Sequence, residues 1–171
     1  MRAALIALSD ALHTATRLVA LVMLAVLVGA VTLQVVARYG FSAPPVWTDE
    51  AARYAMIWVG LMGAAMSFKA RFDPALFTPK TGPRGQIALV TLQSVTVLVF
   101  VAPVLWYSVI GTNGTFARSF LGRALRSTSG AMDLPMIWVS AAVPLAFSII
   151  VIHLVARWAG DKRDLKTDLL T

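Results

Sequence analysis

The sequence predicts an all-α integral membrane protein, a single membrane domain over residues 1–171 with four transmembrane helices. First, the stretch 18–37 has no charged residue, and a helix of that length rises about 30 Å, the thickness of a hydrocarbon core. Second, uncharged apolar stretches recur at 54–68, 85–117 and 134–156. Third, hydrophobic residues make up 58% of the chain, which leaves few for a soluble domain. Unbroken apolar runs indicate helices rather than the alternating strands of a barrel.

Two segments with polar character flank the first predicted helix. Residues 1–17 are weakly amphipathic, which is compatible with a segment lying along the inner membrane surface. After helix 1, the stretch 38–47 contains Pro44 and Pro45, which cannot continue a helix, together with aromatic residues that suit the headgroup region. We therefore expect an interfacial segment between helices 1 and 2. The four predicted spans are 18–37, 51–70, 87–108 and 134–156.

The ends of the later helices carry their own signals. Thr48 is a suitable N-cap for helix 2. Pro103 is expected to kink helix 3 near its outer end. Pro135 fits the first turn of helix 4, and Pro144 is expected to kink the middle of that helix.

The positions of the basic residues predict the orientation. With the N-terminus in the cytoplasm, the inner segments carry Arg2, Arg17, Lys69, Arg71, Lys80, Arg84, Arg157, Lys162, Arg163 and Lys166, which is ten residues. The outer segments carry Arg38, Arg53, Arg118, Arg123 and Arg126, which is five. This bias predicts that both termini are cytoplasmic. Because topology accounts for the net charge of +7, we expect no binding of nucleic acid.

Two features of composition narrow the chemistry further. The chain has no cysteine, which excludes disulfides, thiol catalysis and cysteine metal sites. The first apolar run is too long and starts too late for a signal peptide, so we interpret it as a retained helix.

The densest functional signal lies in residues 45–58. On a helix Asp49 and Arg53 are i,i+4 neighbours, and Glu50 can reach Arg53 or Tyr54. Two interpretations stay open: an interfacial ion pair with a helix cap, or a contact with another subunit. The candidate interfacial anchors and partner contacts are Arg38, Trp47, Asp49, Glu50, Arg53 and Trp58.

Two other sets of polar residues allow alternatives. The second outer loop carries Arg118, Arg123 and Arg126, which can contact either an acidic periplasmic partner or lipid phosphates. His13 and His153 should both lie near the inner face, so ligation of a haem by both is geometrically possible, although a histidine at the end of a span is also simply tolerated there.

The middle of every predicted span lacks acidic and basic residues. A transporter that moves a charged substrate alone usually needs ionisable groups or broken helices near the midplane. An enzyme needs a nucleophile, a base or a metal cluster. The sequence therefore predicts a protein that is not an enzyme, binds no cofactor or metal, and does not transport by itself.

These residues resemble the small (DctQ-like, Q-type) membrane subunit of tripartite ATP-independent periplasmic (TRAP) transporters. The resemblance rests on the stretch 34–39, on Pro45, Trp47, Asp49, Glu50, Arg53, Ile57, Trp58 and Gly63, and on Leu134, Pro135, Trp138 and Pro144. It covers nearly the whole chain. Asp49 stands where the family usually has glutamate, and the stretch 71–75 lacks a histidine that often follows helix 2.

The resemblance implies a multi-pass subunit of the bacterial inner membrane. Its partners would be a large (M-type) membrane subunit, which carries the sodium and substrate sites, a periplasmic binding protein, which captures an organic acid-like solute, and membrane lipids. The small subunit would be a non-catalytic scaffold. The alternatives are a stand-alone four-helix membrane transporter, which needs an embedded carboxylate that the stretch 18–37 lacks, and a haem-binding electron-transfer subunit.

Overall fold

The structure, a computed structural model, describes residues 2–70, 83–111 and 114–160. Within these ranges the chain is helical apart from turns and one isolated β-bridge between Thr128 and Pro135. The helices are α1 (Arg2–Phe41), α2 (Trp47–Ala70), α3 (Pro83–Val109), α4 (Phe120–Ala124), α5 (Ile137–Ser140) and α6 (Ala142–Trp158), with a 3₁₀ turn at Phe116–Arg118.

Four helical segments are long and apolar enough to cross a membrane, which confirms the predicted fold class. They are Arg2–Phe41, Trp47–Ala70, Ile87–Val109 and Ile137–Trp158. We call the end of the bundle that carries residues 42–46 and 114–136 the loop end, and the end that carries residues 2–17, Ala70 and Trp158 the tail end.

The helices pack around α6 and the α1–α2 pair. The most extensive contact joins α1 to α2, and α6 packs against α1, α2 and α3. Among the described residues α3 packs mainly on α6 and α4, so much of its surface is open to the surroundings. The rings of Phe100 and Phe147, whose centroids are 5.9 Å apart, join α3 to α6.

α1 differs from the prediction at both ends. It is one continuous helix from Arg2 to Phe41, so residues 2–17 do not form a separate surface segment. Their polar face is instead packed inside the bundle, with Ser9 and Thr16 buried. At the other end Ser42 adopts a left-handed conformation with φ 54°, which stops the helix four residues later than predicted. The interfacial connection is therefore residues 42–46 only.

The start of α2 also differs in detail. The helix begins at Trp47, and Thr48 lies within its first turn. The Thr48 hydroxyl donates to the Pro45 carbonyl at 2.7 Å instead of accepting a helix N–H as an N-cap does. The threonine thus ties the helix to the preceding proline turn, and the predicted N-cap is wrong.

The fourth span is one helical segment, Ile137–Trp158, with a local disturbance near the loop end. α5 ends at Ser140 and α6 begins at Ala142, but Ala141 between them keeps helical dihedral angles (φ −64°, ψ −23°), so Pro144 lies within the span just after this junction. Proline has no N–H to donate to the carbonyl four residues earlier, here Ser140, and its ring crowds that carbonyl. Pro135 precedes α5 instead of lying in its first turn, whereas α3 continues through Pro103.

An ion pair at the tail end shows the register between α1 and α2: Lys69 Nζ lies 2.7 Å from an Asp10 carboxylate oxygen. Trp47, the first residue of α2, lies 22 positions before Lys69, so the residue of the antiparallel α1 at the same level lies 22 positions after Asp10, at position 32. At about 1.5 Å per residue, residues 33–41 extend about 13 Å past the start of α2. We call residues 33–41 the overhang.

Part of the predicted inner side lies outside the described residues. This applies to residues 71–82, which include Arg71 and Lys80, and to the terminal Lys162, Arg163 and Lys166.

Candidate functional site

The loop end is organised around the carboxylate of Glu50 in the first turn of α2. One carboxylate oxygen accepts the backbone N–H groups of Ala131 and Met132 at 2.9 and 3.0 Å. The other oxygen accepts the hydroxyl of Tyr54, one helical turn along α2. Glu50 therefore satisfies backbone donors of a segment about eighty positions away, and an ionised acceptor makes such bonds strong.

The segment that Glu50 holds is a short hairpin, residues 127–136. The Ser129 N–H donates to the Leu134 carbonyl at 2.8 Å, and the Met136 N–H donates to the Ser127 carbonyl at 2.9 Å. The Ser129 hydroxyl accepts the Leu134 N–H at 3.2 Å. Asp133 has φ 51°, a left-handed conformation that aspartate tolerates better than most residues. The hairpin is thus closed by its own bonds and attached to α2 through Glu50.

Two further residues of the same α2 face bind the start of the fourth span. The Tyr54 hydroxyl lies 3.3 Å from the sulfur of Met136, and the Trp58 indole N–H donates to the Trp138 carbonyl at 3.1 Å. Glu50, Tyr54 and Trp58 are spaced i, i+4 and i+8, so they share one helical face. We call these three residues the inner face of α2; its contacts are within the chain.

Asp49 and Arg53 lie on a neighbouring face of α2 and pair with each other, as their i,i+4 spacing predicts. Their side chains are 59% and 66% exposed, so the pair points away from the bundle. We call it the outward pair. Of the two partners that the sequence offered for Glu50, the structure shows Tyr54, and the carboxylate also accepts backbone N–H groups of the hairpin.

The remaining predicted anchors are separate from this cluster. Trp47 is half-exposed at the first position of α2, and Arg38 is exposed within the overhang. By the register of α1 against α2, Arg38 lies beyond the start of α2. The structure therefore divides the predicted block into an inner face, an outward pair and an overhang.

The three loop arginines also have different surroundings, although all are exposed. Arg118 ends the 3₁₀ turn and Arg126 follows α4. Arg123 lies in α4 and lines a groove against α3 and α6. Spacing alone could not distinguish them.

At the tail end the structure shows a polar cluster, of which the sequence suggested only the proximity of His13 and His153. Lys69, whose side chain is 6% exposed, pairs with Asp10, and the Ser9 hydroxyl lies 2.8 Å from Nδ1 of His153. The rings of His13 and His153 meet edge to face with centroids 6.5 Å apart. The sequence did contain a sign that this part of α1 faces the core, because the spacing of Ser9, His13 and Thr16 places them on one helical face.

A comparison with curated proteins gave no match. The family model of the DctQ component of tripartite ATP-independent periplasmic transporters matches residues 27–164. This match includes the inner face of α2, the outward pair, the whole overhang and the hairpin 127–136. The chain belongs to the DctQ family of TRAP transporter components.

Proposed function

We propose that this chain is the small, non-catalytic scaffold subunit of a sodium-coupled TRAP transporter that imports an organic acid-like solute. It works with a large membrane subunit and a periplasmic binding protein, and it lies in the bacterial inner membrane with both termini in the cytoplasm. The family match over residues 27–164 carries this proposal. DctQ is a family of transporter components rather than of enzymes.

The use of the polar groups supports a scaffold role. At the loop end the inner face of α2 is bound to the chain's own hairpin and to α5. At the tail end the charges of Asp10 and Lys69 are paired with each other. These groups join helices together, which gives a rigid bundle that another subunit can pack against.

The outward pair is an exposed part of the predicted block and is available to a partner. Arg53 has five N–H donors, and its pairing with Asp49 leaves the side chain 66% exposed. The apolar side chains of Met56 and Ile57 beside it are exposed as well. We infer that this face of α2 contacts the large subunit, with a polar group of that subunit accepting the remaining donors of Arg53. An interface with a central arginine and apolar surroundings is typical of protein contacts.

This inference is tested by co-expressing the chain with a large TRAP subunit from the same organism. Arg53→Ala should lower the recovery of the complex and the uptake of solute, while solute capture by the binding protein stays normal. Asp49→Glu, which keeps the charge, should be nearly silent. Arg126→Ala is a matched control for recovery of the complex of the two membrane subunits, because it removes an exposed loop-end arginine that lies outside α2. If Arg53→Ala leaves the recovery of the complex and the uptake of solute at wild-type levels, the Asp49–Arg53 pair is only a local ion pair at the start of α2 and not a subunit contact.

The two alternatives make different demands on the chain. A stand-alone transporter needs a carboxylate embedded in the membrane. The described part of α1 contains the carboxylate of Asp10, but that group is paired with Lys69 and joins two helices. A haem-binding subunit needs axial ligands, and the structure brings His13 and His153 together. An absorption spectrum of protein purified from haem-supplemented cells tests the second alternative. A Soret band that disappears in His153→Ala would favour it over the scaffold.

A further inference from the structure

A groove of about 510 Å³ lies between α3, α4 and α6 near the loop end. Its size is within the range of small-molecule sites, and it is open on one side to the surroundings of the bundle. Among the described residues that line it, Arg123 carries the only charge. The lining residues are Pro103, Val104, Tyr107, Ser108, Phe120, Arg123 and Val143.

The groove has an apolar part and a polar part. Pro103, Val104 and Val143 form apolar wall, whereas Tyr107 and Arg123 bring a hydroxyl and a guanidinium. Ser108 is not part of the polar group, because its hydroxyl donates to the Val104 carbonyl at 2.6 Å. The groove is therefore amphipathic.

The polar part is at the depth where headgroups are expected. The membrane-crossing segment of α3 ends at Val109, so Tyr107 lies in its last turn. Pro103 lies about 6 Å further towards the tail end along the helix. Tyrosine and arginine at the end of a span are typical of the interface between hydrocarbon and headgroups.

The local fold holds α4, and with it Arg123, over the groove. A Cβ on Gly122 would lie 1.9 Å from the Phe116 carbonyl oxygen, so only glycine permits this close approach. The fully buried Ser119 accepts the Gly122 N–H at 3.0 Å and donates to the Phe116 carbonyl at 2.7 Å. Because α4 is packed so tightly on the 3₁₀ turn, the backbone that carries Arg123 has a defined position.

We propose that this groove binds a phospholipid. The Arg123 guanidinium and the Tyr107 hydroxyl bind the lipid phosphate, and the glycerol and the start of an acyl chain lie against Pro103, Val104 and Val143. The charge is complementary, since arginine presents paired donors that match phosphate oxygens. The apolar wall is complementary to the lipid tail and not to a free anion. The proposal does not depend on the transporter function.

Binding can be measured on the full chain in mild detergent, by native mass spectrometry with added lipids. Phosphatidylglycerol and phosphatidylethanolamine should both bind, because the phosphate is common to them, and diacylglycerol with the same acyl chains should bind much more weakly. Inorganic phosphate should not displace the lipid. Equal binding of diacylglycerol, or displacement by inorganic phosphate, would contradict the proposal.

Two variants separate the groove from general surface charge. Arg123→Gln should lower lipid affinity about tenfold, as expected for the loss of a charge-assisted contact, whereas Arg126→Gln removes the same charge from the same loop and should have little effect. Val143→Phe should fill the groove and also lower the affinity for the lipid, although Arg123 is kept. Equal losses in Arg123→Gln and Arg126→Gln would overturn the proposal. So would release of the lipid when the chain joins the large subunit, since the groove would then be a subunit contact.

Discussion

Glu50 is hydrogen-bonded to Met132: a carboxylate oxygen of Glu50 accepts the Met132 N–H at 3.0 Å, although the two residues are 82 positions apart in the sequence. The same oxygen accepts the N–H of Ala131. One acidic side chain in α2 therefore fixes the hairpin 127–136 that leads into the fourth span. A charge at the start of a helix is commonly interpreted as a cap for that helix, and here it organises another segment.

Replacing Glu50 by alanine should free the hairpin from α2. The N–H groups of Ala131 and Met132 lose their acceptor, so hydrogen exchange over residues 127–136 should become faster in detergent. Glu50→Gln keeps an acceptor oxygen and should have a smaller effect. Asp49→Asn, on the neighbouring outward pair, is the control and should leave exchange in the hairpin unchanged. Unchanged exchange in Glu50→Ala would show that the hairpin is held by its own bonds.

Breaking the tail-end ion pair should destabilise the bundle. Asp10→Asn leaves the buried ammonium of Lys69 without its counter-charge. We expect a loss of about 2–3 kcal/mol in the free energy of unfolding, below the full cost for a buried pair because Asp10 is 34% exposed. The measurement is unfolding by sodium dodecyl sulfate in mixed micelles.

The double replacement Asp10→Leu with Lys69→Met should recover most of that loss, because no isolated charge remains. Arg53→Met breaks the exposed pair at the loop end and should cost at most about 1 kcal/mol in the isolated chain. Equal losses from Asp10→Asn and Arg53→Met would mean that burial does not distinguish the Asp10–Lys69 pair from the Asp49–Arg53 pair.

Gly122→Ala should disturb the loop end. Its methyl group would meet the Phe116 carbonyl oxygen at 1.9 Å, and forced overpacking costs about 1–3 kcal/mol. A lower midpoint of thermal unfolding in detergent is the expected result. Gly130→Ala is the control: its Cβ would meet no atom within 4 Å, so its midpoint should stay close to wild type. A wild-type midpoint for Gly122→Ala would contradict the described packing of α4.

The sequence was sufficient to predict the fold class because a membrane requires long apolar helices. Each of the four apolar stretches of the sequence forms such a helix in the structure. The Asp49–Arg53 pair was predictable because its partners are one helical turn apart. The bonds from Glu50 to the hairpin and from Ser9 to His153 join residues 81 to 144 positions apart, and no local pattern encodes such a pairing. The start of α1 was misplaced for a related reason: residues 2–17 belong to the bundle because Ser9 and Asp10 contact α6 and α2.

Topology can be tested with reporter fusions. The distribution of basic residues predicts that fusions at Gly82 and Thr171 report the cytoplasm and that a fusion at Ser127 reports the periplasm. Alkaline phosphatase and a fluorescent protein give opposite readouts on the two sides, so each fusion checks the other. A periplasmic C-terminus would contradict the proposed orientation.

The most direct test of the central claim is uptake by reconstituted proteoliposomes under a sodium gradient. Vesicles that contain this chain and the large subunit, supplied with the binding protein and its solute, should accumulate that solute. Vesicles that contain this chain alone should accumulate none. Sodium-driven uptake by the isolated chain, or full uptake by the large subunit and binding protein without it, would contradict its role as a scaffold subunit.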